Sequence, residues 1–477
     1  MARDPRFDGR FIVAVLTTGI YCRPVCPART PAEENVRYFA TPASAQDAGY
    51  RPCLRCRPET ARRLPEWTLG SQTVIRALRL IDAGYLDDRS VADLAEALDV
   101  SKRHLDRLFQ DQLQTTPKSL GMIRRVQLAK RLIDHSSLAF GQLALSAGYG
   151  SVRRFNDEVR STFGRSPRSL RGTSGKRADG GQVLRLKLPV REPYNRRWVF
   201  GFLEKRALPG LEEVTGFEYR RCLTPQERQP QWLKVVWQDE GLALDVPAAA
   251  AGDLAELLRR VRRVFDLDAD SDVIDERIAA DDRLRDIVRS EPGLRVPGAW
   301  DGFETTVRAI LGQQVSVARA TELAGRLCAE FGDGAFPNAQ QLADADIAAI
   351  GMPGARAEAI RNLSRGVLGG DLQLDDGADF AQLSAGLQSL RGIGAWTAGY
   401  VGMRVAKDPD AFPDADWVVL KALAATPAAA RQLADCWRPW RAYAVMYLWK
   451  LADLARQAGS WPPTAKPARS EKSPDRS

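Results

Sequence analysis

Residues 390–405 read LRGIGAWTAGYVGMRV: a helix-like lead, a Gly-Ile-Gly bend and a second helix-like run. Gly392 and Gly394 allow a tight turn whose backbone N–H groups, beside a helix N-terminus, are placed to face a phosphate. A lone bend of this kind is a weak signal. It gains weight from FPDADWVVLK at 412–421, which sets Asp416 a short way downstream with Trp417 beside it. Helical periodicity surrounds both segments from about 293 to 461, so this end of the chain is predicted as packed helices.

Upstream, QVLRLKLPV (182–190) alternates like a strand, and LKVVWQDEGLALDV (233–246) reads as two strands across an acidic Gly turn. An α+β unit is therefore expected over 182–292. GTSGKRADGG at 172–181 is polar and Gly-rich, as a flexible linker is. Between 70 and 171, TVIRALRLIDAGY, SVADLAEAL, SKRHLDRLFQDQL and MIRRVQLAKRLI all carry helical spacing. Segment 1–66 is dense in Pro, Arg and Cys, and its apolar run FIVAVLTTGIYC (11–22) reads as a strand leading into a cysteine pair. The Pro-, Lys- and Ser-rich tail, 462–477, has too few apolar residues to fold and is expected to be disordered. The fold class is thus multidomain and mainly α, with α+β parts.

At 477 residues the chain has room for three or four domains. It is 44% hydrophobic and 27% charged, with no apolar run near the ~18–20 residues a bilayer span needs. The start, MARDPRFDGR, mixes charge signs and lacks a basic segment followed by an apolar one. A cytoplasmic protein, working at the bacterial nucleoid and not at a membrane, is the expectation. The net charge is +9, unevenly spread: residues 1–177 hold 30 Lys or Arg against 18 Asp or Glu, and the remainder 39 against 42. The cationic N-terminal part reads as a phosphate-binding surface, with a solvated basic face as the bland alternative. Only His104 and His135 are present, which excludes histidine triads and His-rich metal sites.

Of seven cysteines, Cys22, Cys26, Cys53 and Cys56 cluster as C-x3-C and C-x2-C separated by 26 residues. Paired thiolates on tight turns can reach two corners of one tetrahedron, so one zinc ion is expected on these four. The spacing alone leaves a structural and a reactive zinc equally open. Cys222, Cys328 and Cys436 stand singly and are expected to be buried small hydrophobes. The surrounding text, TTGIYCRPVCPAR, ENVRYF and AGYRPCLRCRPE, resembles the N-terminal domain of the Ada family over about sixty residues. That family transfers a methyl group from a DNA methylphosphotriester to a zinc-bound cysteine. The resemblance implies Cys22 as the methyl acceptor, with Thr18, Arg29 and Arg51 near the DNA phosphate.

Two helix-turn-helix units stand in tandem, RSVADLAEALDVSKRHLDRLF (89–109) and FGQLALSAGYGSVRRFNDEVRSTFG (140–164). Each has a small-residue first helix, a turn, and a second helix for which Ser101 or Ser151 is the expected N-cap. With the closing FGRSPRSLR, residues 70–171 resemble the AraC-type DNA-binding domain. Recognition helices present N-terminal side chains to the major groove, so Lys102, Arg103, Arg153 and Arg154 are the candidates to touch bases or phosphates. A promoter sequence and RNA polymerase follow as expected partners, with the chain itself a monomer.

The Gly392–Gly394 hairpin with Asp416 resembles the helix-hairpin-helix DNA glycosylases. RWVFGFLEKRA (197–207), PGLRVPGAWDGFETTVRAILGQQVSVA (292–318) and CWRPWRAYAVMYLWK (436–450) narrow this to the AlkA-type 3-methyladenine glycosylases, over roughly 183–461. The resemblance implies an N-terminal α/β subdomain (182–292), two helix-hairpin-helix lobes (293–461), and alkylated double-stranded DNA as substrate. It makes Asp416 the catalytic carboxylate and Trp396, Tyr400, Trp449, Phe202 and Trp417 the lining of a pocket for the flipped base. A helix cap for Asp416 and plain core roles for the aromatics are the alternatives, and Asp414 is expected to be solvent-exposed. Gln313 and Gln314 lie in a loop where some relatives carry a leucine wedge. No lysine occupies the slot before Asp416 found in lyase-competent relatives, so a monofunctional glycosylase is expected. A monovalent cation at the hairpin is a further expectation. The competing reading is a methylation-sensing transcription factor whose glycosylase fold only binds DNA.

Overall fold

The computed structural model describes residues 7–56, 58, 71–135, 138–173, 183–239, 241–375 and 378–459. The expected tail at 462–477 and the linker from 174 onward lie outside these, while Gly172 and Thr173 close the helix Pro167–Thr173.

Near the N-terminus a four-stranded sheet runs in the order Val36–Phe39, Ile12–Val15, Ile20–Cys22, Arg51–Pro52. The run read as one strand is in fact a hairpin. Its chain reverses at 16–19, where Gly19 adopts φ 63° and donates its amide to the Val15 carbonyl. The buried core here is small, made of Ile12, Ala14, Tyr21, Ala45 and Tyr50. Such a core is too thin to hold a domain without a staple.

The region 71–173 carries only helices and turns among its described residues, and both expected N-caps are present. The Ser101 hydroxyl accepts from the His104 amide (3.2 Å) ahead of helix Lys102–Leu113, and Ser151 accepts from Arg154 (3.3 Å) ahead of Val152–Phe163. Pro117–His135 connects the two units. Leu105, Phe109 and Leu113 at helical spacing seal the first unit against Val74, Ala77 and Ile81.

Beyond it, a five-stranded antiparallel sheet runs Val183–Pro189, Gly241–Pro247, Trp232–Gln238, Glu218–Cys222, Glu212–Thr215. The expected strand pair across the acidic Gly turn is present as Trp232–Gln238 and Gly241–Pro247. One apolar core joins the second helix-turn-helix unit (Leu132, Phe155, Leu170), the sheet (Leu186, Leu244) and the helix Arg441–Gln457 (Val445, Leu448). A second core unites helices between Gly302 and Arg404, through Val307, Leu327, Ile360, Leu387 and Val401. Cys222 and Cys328 are buried as expected, whereas Cys436 is exposed: it follows the helix Pro427–Ala434, its thiol beside the Leu433 carbonyl at 3.2 Å.

Candidate active site and metal centre

The four cysteine sulfurs lie within 4.8 Å of one another. Strand pairing brings them there. Ile20–Cys22 runs parallel to Arg51–Pro52, with Tyr21 opposite Pro52, and the Cys53 amide donates to the Tyr21 carbonyl at 2.9 Å. Cys22 and Cys53 therefore leave adjacent strands side by side. The Arg23 amide donates to Cys56 Sγ (3.4 Å), while its guanidinium holds the buried Asp8 carboxylate (Nε–Oδ1 2.8 Å). A zinc ion with ~2.3 Å bonds to sulfur fits a cluster of this size and an all-thiol donor set. Hydrogen bonding from Cys22 holds Cys53 below the ordinary thiol range, and hydrogen bonding with Cys53 pushes Cys22 above it. Sulfurs this close share protons unless a cation neutralises them.

Around this centre Thr18 is exposed in the hairpin turn, its hydroxyl at 3.5 Å from the Val15 carbonyl, and Arg29 and Arg51 are exposed. Arg51 points at the end of the second recognition helix, where a Cβ on Gly164 would stand 2.8 Å from its NH1. The short helix Pro42–Asp47 is tied to the DNA-binding region by Gln46 to Thr162 (3.2 Å) and by Thr115 to Asp47 (2.6 Å). Lys102, Arg103, Arg153 and Arg154 are all exposed at the starts of their helices. Arg154 is engaged by Glu158 at 2.9 Å, and Arg153 lies 4.0 Å from Asp157.

The second centre lies where the two large cores meet. Asp416 is 6% exposed and caps the helix Trp417–Ala422, Oδ1 accepting from the Val419 amide at 3.0 Å. The cap alternative is thus true, yet it accounts for only one of three bonds. Oδ1 also accepts from Trp449 Nε1 (3.2 Å) and Oδ2 from Trp396 Nε1 (2.8 Å). Three N–H donors aim the carboxylate, and among the described residues no cation pairs with it. Asp414, read as exposed, is mostly covered and pairs with Arg431. Neighbouring charge thus separates the two aspartates.

Trp396 and Tyr400, one turn apart on Ala395–Arg404, stack at 5.6 Å, and Tyr400 lies 6.3 Å from Trp449 on Arg441–Gln457. Phe202 is buried beneath two guanidinium groups, Arg206 at 3.7 Å and Arg404 at 5.0 Å from its ring centre. Trp417 stands apart from this stack, 55% exposed. Sequence reasoning missed Arg404 and Arg206. Arg404 was findable, since it follows Tyr400 by four residues on one helical face, and it donates to the Tyr400 hydroxyl at 2.7 Å. Burial alone would raise the Tyr400 pKa, but Arg404 and then Arg206 outweigh it and bring it down to about 8.

The hairpin adopts the expected form. Gly392 has φ 92°, and Gly394 caps Ala395–Arg404 with open space where a Cβ would stand. Gln313 donates from Nε2 to the Gly392 carbonyl (3.1 Å) and to Thr397 Oγ1 (3.0 Å), bracing the bend. Gln314 is exposed on the same loop in a left-handed backbone conformation, φ 57°. The two glutamines therefore do different things.

Comparison with known proteins agrees with this architecture. The metal binding domain of Ada matches residues 1–59, a helix-turn-helix domain 94–173, the AlkA N-terminal domain 185–301, and the HhH-GPD superfamily of base excision DNA repair proteins 307–433. Fold and site together define a DNA-repair glycosylase of the helix-hairpin-helix class, joined to a four-cysteine zinc centre and a helix-turn-helix region that bind double-stranded DNA. A probable bifunctional transcriptional activator/DNA repair enzyme AlkA of Mycobacterium tuberculosis is 40% identical over 98% of this chain and 97% of its own. The chain belongs to that family of activator/repair proteins. DNA-3-methyladenine glycosylase 2 of Escherichia coli is 35% identical over 54% of this chain and 94% of its own. The bifunctional transcriptional activator/DNA repair enzyme Ada of E. coli is 35% identical over 36% of this chain and 47% of its own. Among the described residues no helix is long and apolar enough to cross a membrane.

Proposed function

We propose that this chain is a monofunctional glycosylase for alkylated bases such as 3-methyladenine, whose zinc centre accepts methyl groups from DNA methylphosphotriesters and whose helical pair regulates alkylation-response promoters. The observation that carries the first part is the Asp416 carboxylate, aimed by two indole N–H groups beside an aromatic stack and, among the described residues, paired with no cation. A base alkylated on a ring nitrogen is positively charged, and electron-rich rings attract it by ~1–2 kcal/mol once water is excluded. As the bond from the sugar to the base lengthens, the electron pair leaves with the base and positive charge develops on the sugar. The Asp416 anion stabilises that charge, and water completes the hydrolysis. The charged leaving base needs little acid catalysis, and with no lysine in the slot before Asp416 found in lyase-competent relatives, the enzyme excises the base without cutting the strand.

At the other centre zinc, when bound, keeps the sulfurs as thiolates near neutral pH. The Cys22 sulfur attacks the methyl carbon, an S–C bond forms, the C–O bond breaks, and its electron pair stays on the phosphate oxygen. The cluster becomes less negative by one charge, which lowers repulsion from the DNA backbone and tightens binding. Thr18, Arg29 and Arg51 contact the phosphate, Gln314 fills the space left by the flipped base, and Trp417 flanks the lesion. The protein acts as a monomer and recruits RNA polymerase.

The test incubates zinc-loaded protein with randomly methylated duplex DNA and measures released base and protein-bound methyl separately. Asp416→Asn is expected to lose base release and keep methyl uptake; Cys22→Ser is expected to do the reverse. An Asp416→Asn protein that releases base as fast as the parent overturns the excision assignment and leaves a DNA-binding regulator.

A further inference from the structure

Arg79 lies on the helix Gln72–Asp82, in the DNA-binding half, yet its guanidinium reaches the glycosylase. NH1 donates to the Ala406 carbonyl at 2.7 Å and NH2 to the Lys407 carbonyl at 3.3 Å. These carbonyls form the turn that ends the helix Ala395–Arg404, where Lys407 takes a left-handed φ of 53°. A helix C-terminus leaves carbonyls without intrahelical donors and carries partial negative charge, so a guanidinium there is favourable. On one side of the turn the helix bears Trp396 and Tyr400. On the other the chain runs on to Asp416. The Trp396–Asp416 hydrogen bond therefore closes a loop whose midpoint is the turn that Arg79 grips.

From within the glycosylase the same turn is held by Lys407, whose Nζ donates to Asp266 (2.6 Å) and to the Val296 carbonyl (2.8 Å). Arg79 is a tie to it from outside the glycosylase. Around this contact lies a cavity of about 130 Å³ lined by charged groups, Arg79, Asp82, Arg259, Arg262, Asp266 and Lys407 among them. Pro409, Trp440 and Tyr443 share this lining, while the apolar core that joins the two halves passes through Leu132 and Phe155. A separate tie joins the zinc region to the glycosylase through another residue of this cavity, Arg10 to the buried Asp270 at 2.8 Å.

We propose that Arg79 is a positioning residue of the glycosylase, lent by the DNA-binding half: it holds the turn at 405–408 so that Trp396, Tyr400 and Asp416 keep their mutual geometry. This rests on Asp416 being the catalytic carboxylate. It makes excision responsive to the placement of the helix Gln72–Asp82, which packs on the first recognition helix and the connecting helix. The regulatory half is then part of the enzyme.

The experiment uses the full-length, zinc-loaded chain with Arg79→Ala, Arg79→Lys and Arg10→Ala. Release of methylated base from methylated duplex DNA is followed in single turnover, with amide hydrogen exchange across 396–416. Arg79→Ala is expected to slow release at saturating DNA roughly tenfold, below the ~100-fold that a 1 Å misplacement can cost, with half-saturation unchanged. Exchange across 396–416 rises, and Arg79→Lys, which reaches one carbonyl, restores part of both. Arg10→Ala leaves both at parental values. Parental rate and exchange in Arg79→Ala overturn the proposal, and so do equal losses in Arg79→Ala and Arg10→Ala that follow only a lowered melting temperature. Should Asp416→Asn prove fully active, the carboxylate assignment falls, while the exchange measurement still decides whether Arg79 holds the turn.

Discussion

Two aspartates two positions apart are chemically alike in sequence and differ in the fold by one guanidinium. Arg431 neutralises Asp414, whereas among the described residues Asp416 meets N–H donors and no cation. Tyr400 is the other residue whose surroundings decide its chemistry. A free tyrosine ionises near pH ~10, and in the fold Arg404 and Arg206 overcome burial to bring the value to about 8. Between those two values the unfolded chain binds the extra proton, so stability rises with pH across that window. The contribution is complete above pH ~10 and is lost as pH falls through about 8. Phenolate absorbance is expected to appear near pH 8 in the native protein, and Arg404→Gln to move it upward. The preference for a cationic over a neutral base, measured by competition, should grow through the same range. A native titration near pH ~10 would remove this account.

At the scale of elements, the hairpin shows how two glycines in one motif carry different burdens. Gly392 combines φ 92° with a virtual Cβ only 2.7 Å from the Ala359 Cβ, so its small size is a packing requirement. Gly394 has φ −102° and open space around it, so its small size keeps the helix N-terminus approachable. Gly392→Ala is expected to cost about 1–3 kcal/mol of stability through backbone strain and overlap, seen as a lower melting temperature. Gly394→Ala should melt like the parent and bind DNA more weakly. Equal melting of the two variants would contradict the assignment. The spacing of the motif was plain in the sequence. The Gln313 brace was not, because its partners, Gly392 and Thr397, come from a distant segment.

At the scale of the molecule, the zinc region has the smallest core, the first helix-turn-helix unit has one of its own, and the rest shares two large ones. Removing zinc with a chelator is therefore expected to abolish methyl uptake and to disorder the sheet carrying Cys22, while base release persists. Loss of both activities together would mean that the zinc region supports the glycosylase fold. The cationic N-terminal part and the mildly acidic remainder are packed together, not strung as beads, since one apolar core crosses from Leu132 and Phe155 to Leu186 and Leu244. Each half is legible from its own motifs, but their docking depends on side chains such as Arg10, Gln46 and Arg79 that belong to no motif.

Local chemistry was settled by the chain alone. Thiol spacing pointed to the metal, small residues and serine caps pointed to the helix-turn-helix units, and the Gly-Ile-Gly bend with a downstream aspartate pointed, by resemblance, to the glycosylase class. Each depends on neighbours close in the chain or on residue types with one common use. Which aspartate pairs with a guanidinium and which with indole N–H groups, which glutamine braces and which is exposed, and how Arg79 crosses between halves were decided only by tertiary structure. Those outcomes depend on distances between segments far apart in sequence, where a single guanidinium or indole N–H arriving within 3 Å changes what its partner can do.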